Sequence, residues 1–107
     1  MEFANKRIYL SGPMTGMHDW NRETFIEAAR YLRNQGARVF NPAFNASSSK
    51  LDTHQVCMLR DLHELTEHID GKPFYDILAQ LPGWEKSKGA NVELIVAKAC
   101  GIDVITV

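Results

Sequence analysis

At 107 residues, 45% of them hydrophobic, the chain is long enough for one domain with a modest core and too short for two. Twelve basic residues against thirteen acidic ones leave a formal net charge of −1 with no basic block, which excludes the electrostatic footprint of a DNA- or RNA-binding surface. Cys57 and Cys100 stand far apart, no apolar run approaches the roughly 18 residues of a membrane span, and Met1 to Lys6 reads as a short polar start with no secretory leader. The expectation is a single domain over 1–107 in the cytoplasm, its thiols reduced, with neither a membrane nor a nucleic-acid polymer as partner.

Arg7 to Leu10 reads as a short strand that empties into Ser11-Gly12-Pro13-Met14-Thr15-Gly16, a run of turn formers that cannot continue it. Phe25, Ala28, Ala29 and Leu32 then recur at helical spacing, with Asn21 or a neighbour as the cap and Gly36 as the stop. Ala37 to Phe40 is the second strand, closed by Asn41-Pro42. The small polar residues from Asn45 to Lys50 suit an exposed loop and candidate lid, with Asp52 or Thr53 capping the next helix. That helix carries Met58, Leu62, Leu65 and Ile69 on one stripe, suited to a sheet, and Val56 and Leu59 on a separate face suited to a partner subunit, with His63 between them. Gly71-Lys72-Pro73 breaks the helix, and Asp76 to Leu81 is a third strand ended by Pro82-Gly83. Ser87 caps a helix over 88–100 that Gly101 terminates, and Asp103 to Val107 is the last strand.

Strands alternating with helices predict an α/β fold: a small doubly wound, flavodoxin- or Rossmann-like parallel sheet of about four strands in the order 2-1-3-4, with helices on both faces. In that order the winding reverses between the first and third strands, so loops 11–16 and 82–87 open into one crevice where a ligand should bind. Close backbone approach there predicts that Gly12→Val or Gly89→Val blocks binding while the fold is retained. Trp20 and Trp84 flank these loops, where they either cover a ring or simply pack.

The helix over 88–100 is apolar over most of its surface, and at roughly 100° per residue Glu93 points opposite Asn91 and Lys98, among Ala90, Ala97 and Cys100. An inward carboxylate costs several kcal/mol unless it is hydrogen-bonded or functional, so Glu93 is either a site residue or a helix-start acceptor of backbone hydrogen bonds. Ser87 and Gly89 open the same helix, where free N–H groups and the dipole favour an anion, although Ser87 caps the helix in either case. Asp61 flanks the packed stripe of the second helix and either reaches the crevice or pairs with a cation at the surface. Histidines 18, 54, 63 and 68 and the cysteines show no metal-site spacing, and no Walker, Rossmann or serine-nucleophile pattern occurs, so no metal and no cofactor is expected.

Taken together, the motifs Ile8-Tyr9-Leu10-Ser11-Gly12-Pro13-Met14-Thr15-Gly16, Asn41-Pro42-Ala43, Met58 through Asp61-Leu62 to Leu65, and Leu81-Pro82-Gly83-Trp84-Glu85 leading to Ser87, Gly89-Ala90 and Glu93 resemble the nucleoside 2-deoxyribosyltransferase-like family. Small bacterial and phage members belong to that family, which also includes 2'-deoxynucleoside 5'-phosphate N-hydrolases. The resemblance runs from about residue 7 to 107. It implies catalytic roles for Glu93 as nucleophile on C1' of a deoxyribose, for Asp61 in orienting the sugar or handling the leaving group's proton, and for Tyr9 in holding Glu93. It further implies substrate contacts from Ser11, Gly12, Thr15, Gly16, Gly83, Trp84, Ser87 and Gly89, a nucleoside or nucleotide as the small-molecule partner, and a homodimer or larger homo-oligomer. Pro13 and Thr15 stand where the hydrolases have serine and arginine, Ser87 stands where the transferases have aspartate, and His68 to Tyr75 reads as an insertion. The leading expectation is cleavage or exchange of an N-glycosidic bond. A non-catalytic nucleotide-binding or sensor module on the same fold, and an interaction subunit built on the Val56/Leu59 face, are the competing readings.

Overall fold

In the computed structural model, which describes residues 2–45 and 54–107, the first strand is buried on both faces. The strands are β1 (Arg7–Ser11), β2 (Arg38–Phe40), β3 (His68–Ile69), β4 (Lys72–Pro73), β5 (Ile77–Gln80) and β6 (Asp103–Thr106), and the helices are α1 (Arg22–Asn34), α2 (His54–Leu65) and α3 (Lys88–Ala99). Side chains alternate across a strand, so Ile8 and Leu10 pack on one side against Phe25, Ala29 and Leu32 of α1. Tyr9 packs on the other side with Leu65 of α2 and Ala97 of α3. Four strands pair in parallel in the order β2-β1-β5-β6, which is the expected doubly wound sheet with its third and fourth strands at β5 and β6. Its carboxyl ends carry loops 12–17 and 81–87 side by side, because Ser11 pairs with Gln80 in register. Among the described residues no helix is long and apolar enough to cross a membrane.

Two local expectations change, and a third falls mostly outside the described residues. Ile69 does not extend the α2 stripe: the helix ends at Leu65, Thr66 bonds back to the Leu62 carbonyl, and Ile69 lies 54% exposed in an antiparallel hairpin of β3 and β4. Asp70 and Gly71, at φ 53° and 76°, form its two-residue turn, the left-handed pair that matches the twist of a hairpin. Asn21 precedes α1 but makes no cap bond; its own φ is 62°, and its amide donates instead to the Pro13 carbonyl at 2.9 Å, tying the first crevice loop to the helix start. The candidate lid begins as a turn of 3-10 helix over Pro42–Asn45, and the rest of it, with Asp52 and Thr53, lies outside the described residues.

The glycine expectation also divides. A Cβ on buried Gly12 would sit 2.8 Å from Leu81 Cβ, a backbone-anchored atom of the core, so substitution there disturbs the fold itself. A Cβ on Gly89 would meet only the flexible Met58 sulfur at 3.1 Å and His54 Cε1 at 3.9 Å. Gly12→Ala should therefore cost about 1–3 kcal/mol and lower the melting temperature by roughly 5–15 °C, whereas Gly89→Ala should melt close to the wild type. Equal melting curves for all three proteins in circular dichroism would contradict this reading of Gly12.

Candidate active site

Ser87 caps α3 through its side-chain oxygen, which accepts from the Ala90 N–H at 3.2 Å. One turn on, the Asn91 amide donates to the Trp84, Glu85 and Ser87 carbonyls, so the turn before the helix is fixed to the helix. With the helix start held in this way, Glu93 faces the sheet and is 6% exposed. The Tyr9 hydroxyl donates to its Oε2 at 2.5 Å and the Ser11 hydroxyl to its Oε1 at 2.8 Å, so both carboxylate oxygens are bonded from β1. Tyr9 is itself set by stacking on Phe40 at 5.2 Å and by an edge contact with Tyr75 at 5.6 Å.

Burial pushes Glu93 up from its ordinary 4.5 to about 7, against the hydrogen bonds from Tyr9 and Ser11 that favour the ionised form, while the Asp61 charge adds a further push upward. Asp61, 8% exposed on α2, is raised from 3.8 to about 6, again by burial, with Arg60 pulling it down. Its carboxylate has no hydrogen-bond partner among the described residues. Burial, then the charges of Glu93 and Asp61, hold the Tyr9 phenol well above its ordinary value, so it remains a proton donor.

Glu93 and Asp61 border a cavity of about 600 Å³ at the carboxyl ends of β1 and β5. Gly12, Thr15, Gly83, Ser87 and Gly89 lie on its wall as the sequence suggested; Gly16 and Trp84 do not, nor does Trp20, and Ser11 is fully buried behind Glu93. The wall also carries residues that sequence reasoning passed over: Met14 and Met17 from the loop after β1, His54, Cys57 and Met58 from α2, and Lys86 and Lys88 on either side of Ser87 in the chain. The two lysines are the one visible signal, since a cation on each side of a helix cap strengthens the positive end of a dipole. The site is thus negative at its floor and positive at its rim. A groove of about 660 Å³ opens elsewhere, between α1 and the end of β6, but the titratable side chains on its wall, Glu2, Glu27 and Tyr31, are all exposed.

A carboxyl whose folded pKa is raised binds its proton more tightly in the folded state, so the stability it contributes is present in acid and lost as the pH rises through the folded value. For Glu93 that loss runs from 4.5 through about 7 and corresponds to about 3 kcal/mol. The wild type should therefore melt at progressively lower temperature between about pH 5 and about pH 8, and Glu93→Gln should flatten most of that decline. Parallel stability curves for the two proteins would count against a buried, proton-retaining Glu93.

The family model described as "Domain of unknown function (DUF4406)" matches residues 6–106. No curated protein matches the chain. Among solved structures, a conserved protein from Enterococcus faecalis V583 is 25% identical, with a TM-score of 0.68 over 96% of this chain and 63% of that one. The chain thus spans less than two thirds of that protein's length. A 2-deoxyribosyltransferase from Bacillus psychrosaccharolyticus is 20% identical, with a TM-score of 0.66 over 94% of this chain and 70% of its own. The likeness to the transferase is one of fold: the parallel four-stranded sheet with its helices is the deoxyribosyltransferase arrangement. Since the family match covers nearly the whole sequence, the chain belongs to the DUF4406 family.

Proposed function

We propose that the protein cleaves or exchanges the N-glycosidic bond of a 2'-deoxynucleoside or deoxynucleotide through a covalent ester on Glu93. The observation that carries this reading is a buried carboxylate, held on both oxygens by Tyr9 and Ser11, bordering a cavity next to a second carboxylate with no hydrogen-bond partner among the described residues. In the first step a Glu93 oxygen forms a bond to C1' as the C1'–N bond breaks, and the bonding pair leaves with the base, which takes its proton from Asp61. In the second step water gives a proton back to Asp61 and its oxygen displaces Glu93 from C1'; with a second base in place of water the outcome is transfer. Two inversions retain the configuration at C1'. A fold shared with a deoxyribosyltransferase supports the substrate class.

The reacting state holds one proton between the two carboxylates, ionised at Glu93 and protonated at Asp61; it is the minor of the two arrangements, because Glu93 has the higher value and holds the shared proton more of the time. Their values of about 7 and about 6 belong to the pair, so kcat/KM should follow a bell-shaped profile with its maximum between them. Incubation with a panel of deoxynucleosides and deoxynucleotides, with and without free bases, should release or exchange a base detectable by chromatography. Glu93→Gln should reduce that release on the order of 1,000-fold or more, and Asp61→Asn roughly 100-fold. A fully active Glu93→Gln enzyme would exclude the covalent route, and a protein that binds a nucleotide but releases nothing would be the sensor module instead.

The working form is a homodimer or larger homo-oligomer. Helices α2 and α3 lie on the same side of the sheet and leave aliphatic side chains outward: Val56 41%, Leu59 71% and Ile95 68% exposed. Light scattering at micromolar concentration should give at least twice the 12.1 kDa chain mass, and Leu59→Glu should shift it toward the monomer. A monomeric wild type would remove this part of the proposal.

A further inference from the structure

We propose that Ser11 is a positioning residue for Glu93, one whose hydroxyl, acting with Tyr9, fixes the carboxylate from the sheet side and leaves its opposite lone pairs directed to the cavity. The role rests on the nucleophile reading of Glu93 and extends it to a residue outside the cavity wall.

The argument begins with the pleat of β1. Tyr9 and Ser11 are two residues apart and so share the sheet face that packs against α2 and α3. Each reaches a different Glu93 oxygen, Tyr9 at 2.5 Å and Ser11 at 2.8 Å. A carboxylate offers about four lone-pair directions; two are taken from β1, and those remaining point away from it, where Glu93 borders the cavity. Ser11 itself is 0% exposed and absent from the cavity wall, so a ligand in the cavity does not touch it. Its hydroxyl acts through Glu93 or not at all.

The charged and titratable groups around Glu93 are Tyr9 from β1 and Asp61 from α2, with Arg60 next to Asp61. His54, Cys57, Lys86 and Lys88 stand on the cavity wall. From β5 the register neighbour of Ser11 is the uncharged Gln80. Among these, Tyr9 and Ser11 are the two that donate hydrogen bonds to the carboxylate, and each such bond favours its ionised form. Loss of either should make Glu93 harder to ionise.

The test reads Glu93 directly, by carbon-13 NMR of its carboxyl group in protein labelled at glutamate, assigned by the signal missing from Glu93→Gln. In Ser11→Ala the titration midpoint should rise by about one pH unit above the wild-type value, and the acid limb of kcat should move with it, lowering kcat at pH 6 by roughly tenfold. KM should stay within about twofold of the wild type, since no wall group is lost. Ser11→Thr, which keeps the hydroxyl, should restore the midpoint. If Ser11→Ala does not fold, Ser11→Cys is read in its place, and its weak S–H donor must shift the midpoint in the same direction. An unmoved midpoint in a folded variant overturns the proposal, whether the loss appears as a lower melting temperature or as a higher KM, which would mark a structural or a substrate-contacting serine. A moved midpoint in a protein that releases no base supports the hold of Ser11 on Glu93 and sinks only the glycosidic reading.

Discussion

The placement of one carboxylate constrains most of this structure. Glu93 sits on the inward face of an otherwise apolar helix, where an unpartnered charge would cost several kcal/mol. Docking α3 onto the sheet is therefore acceptable only where donors meet both carboxylate oxygens, and β1 supplies them at alternate positions, Tyr9 and Ser11. A slip of one residue in the pairing of β1 would turn both donors to the α1 side and bring Ile8 and Leu10 against the charge. The polar contact thus specifies the register that the hydrophobic pattern also favours.

Tyr9 depends in turn on its own surroundings. Phe40 stacks on its ring, and Tyr75 meets it edge-on while donating to Glu64 of α2 at 2.5 Å. Phe74, next in the chain, meets Tyr75 edge-on at 5.1 Å and lies under the Arg7 guanidinium. The β3–β4 hairpin thus leads directly into the aromatic residues that fix the Tyr9 hydroxyl. The hairpin residues themselves are exposed; His68, Gly71 and Pro73 border a small pocket together with Leu65 and Ile102, and no hairpin residue lines the cavity beside Glu93.

The same arrangement links stability to chemistry. The burial that raises Glu93 and Asp61 toward neutrality works against the folded state whenever both are ionised, and it gives the site two carboxyls able to hold or give up a proton near pH 7. Around them, free N–H groups at the α3 start, the helix dipole and the flanking Lys86 and Lys88 make a positive rim over that acidic floor. Such polarity suits a ligand with an anionic or electron-rich end at the rim and a reacting centre at the floor.

Much of this was legible in the linear chain. Helical spacing in α1 and α3, the Ser87 cap, the glycines that stop the helices, and the inward angle of Glu93 all follow from interactions between residues a few positions apart, which the local order of side chains determines. The alternation of strands and helices then sufficed for the sheet order, because right-handed crossovers leave few ways to wind it. Asp70-Gly71 was a local signal as well, but the apolar stripe of α2 ran on to Ile69 and masked it, since a helical period does not by itself mark where a helix ends. What the sequence could not place was Ser11 behind Glu93 in preference to the cavity wall, Asp61 beside it with no hydrogen-bond partner for its carboxylate among the described residues, and Lys86 and Lys88 at the rim. The Ser11–Glu93 bond joins residues 82 positions apart. Contacts of that separation arise only when β1 and α3 are pressed together by the packing of two cores, and the direction of each side chain is then set by that packing and not by its neighbours in the chain.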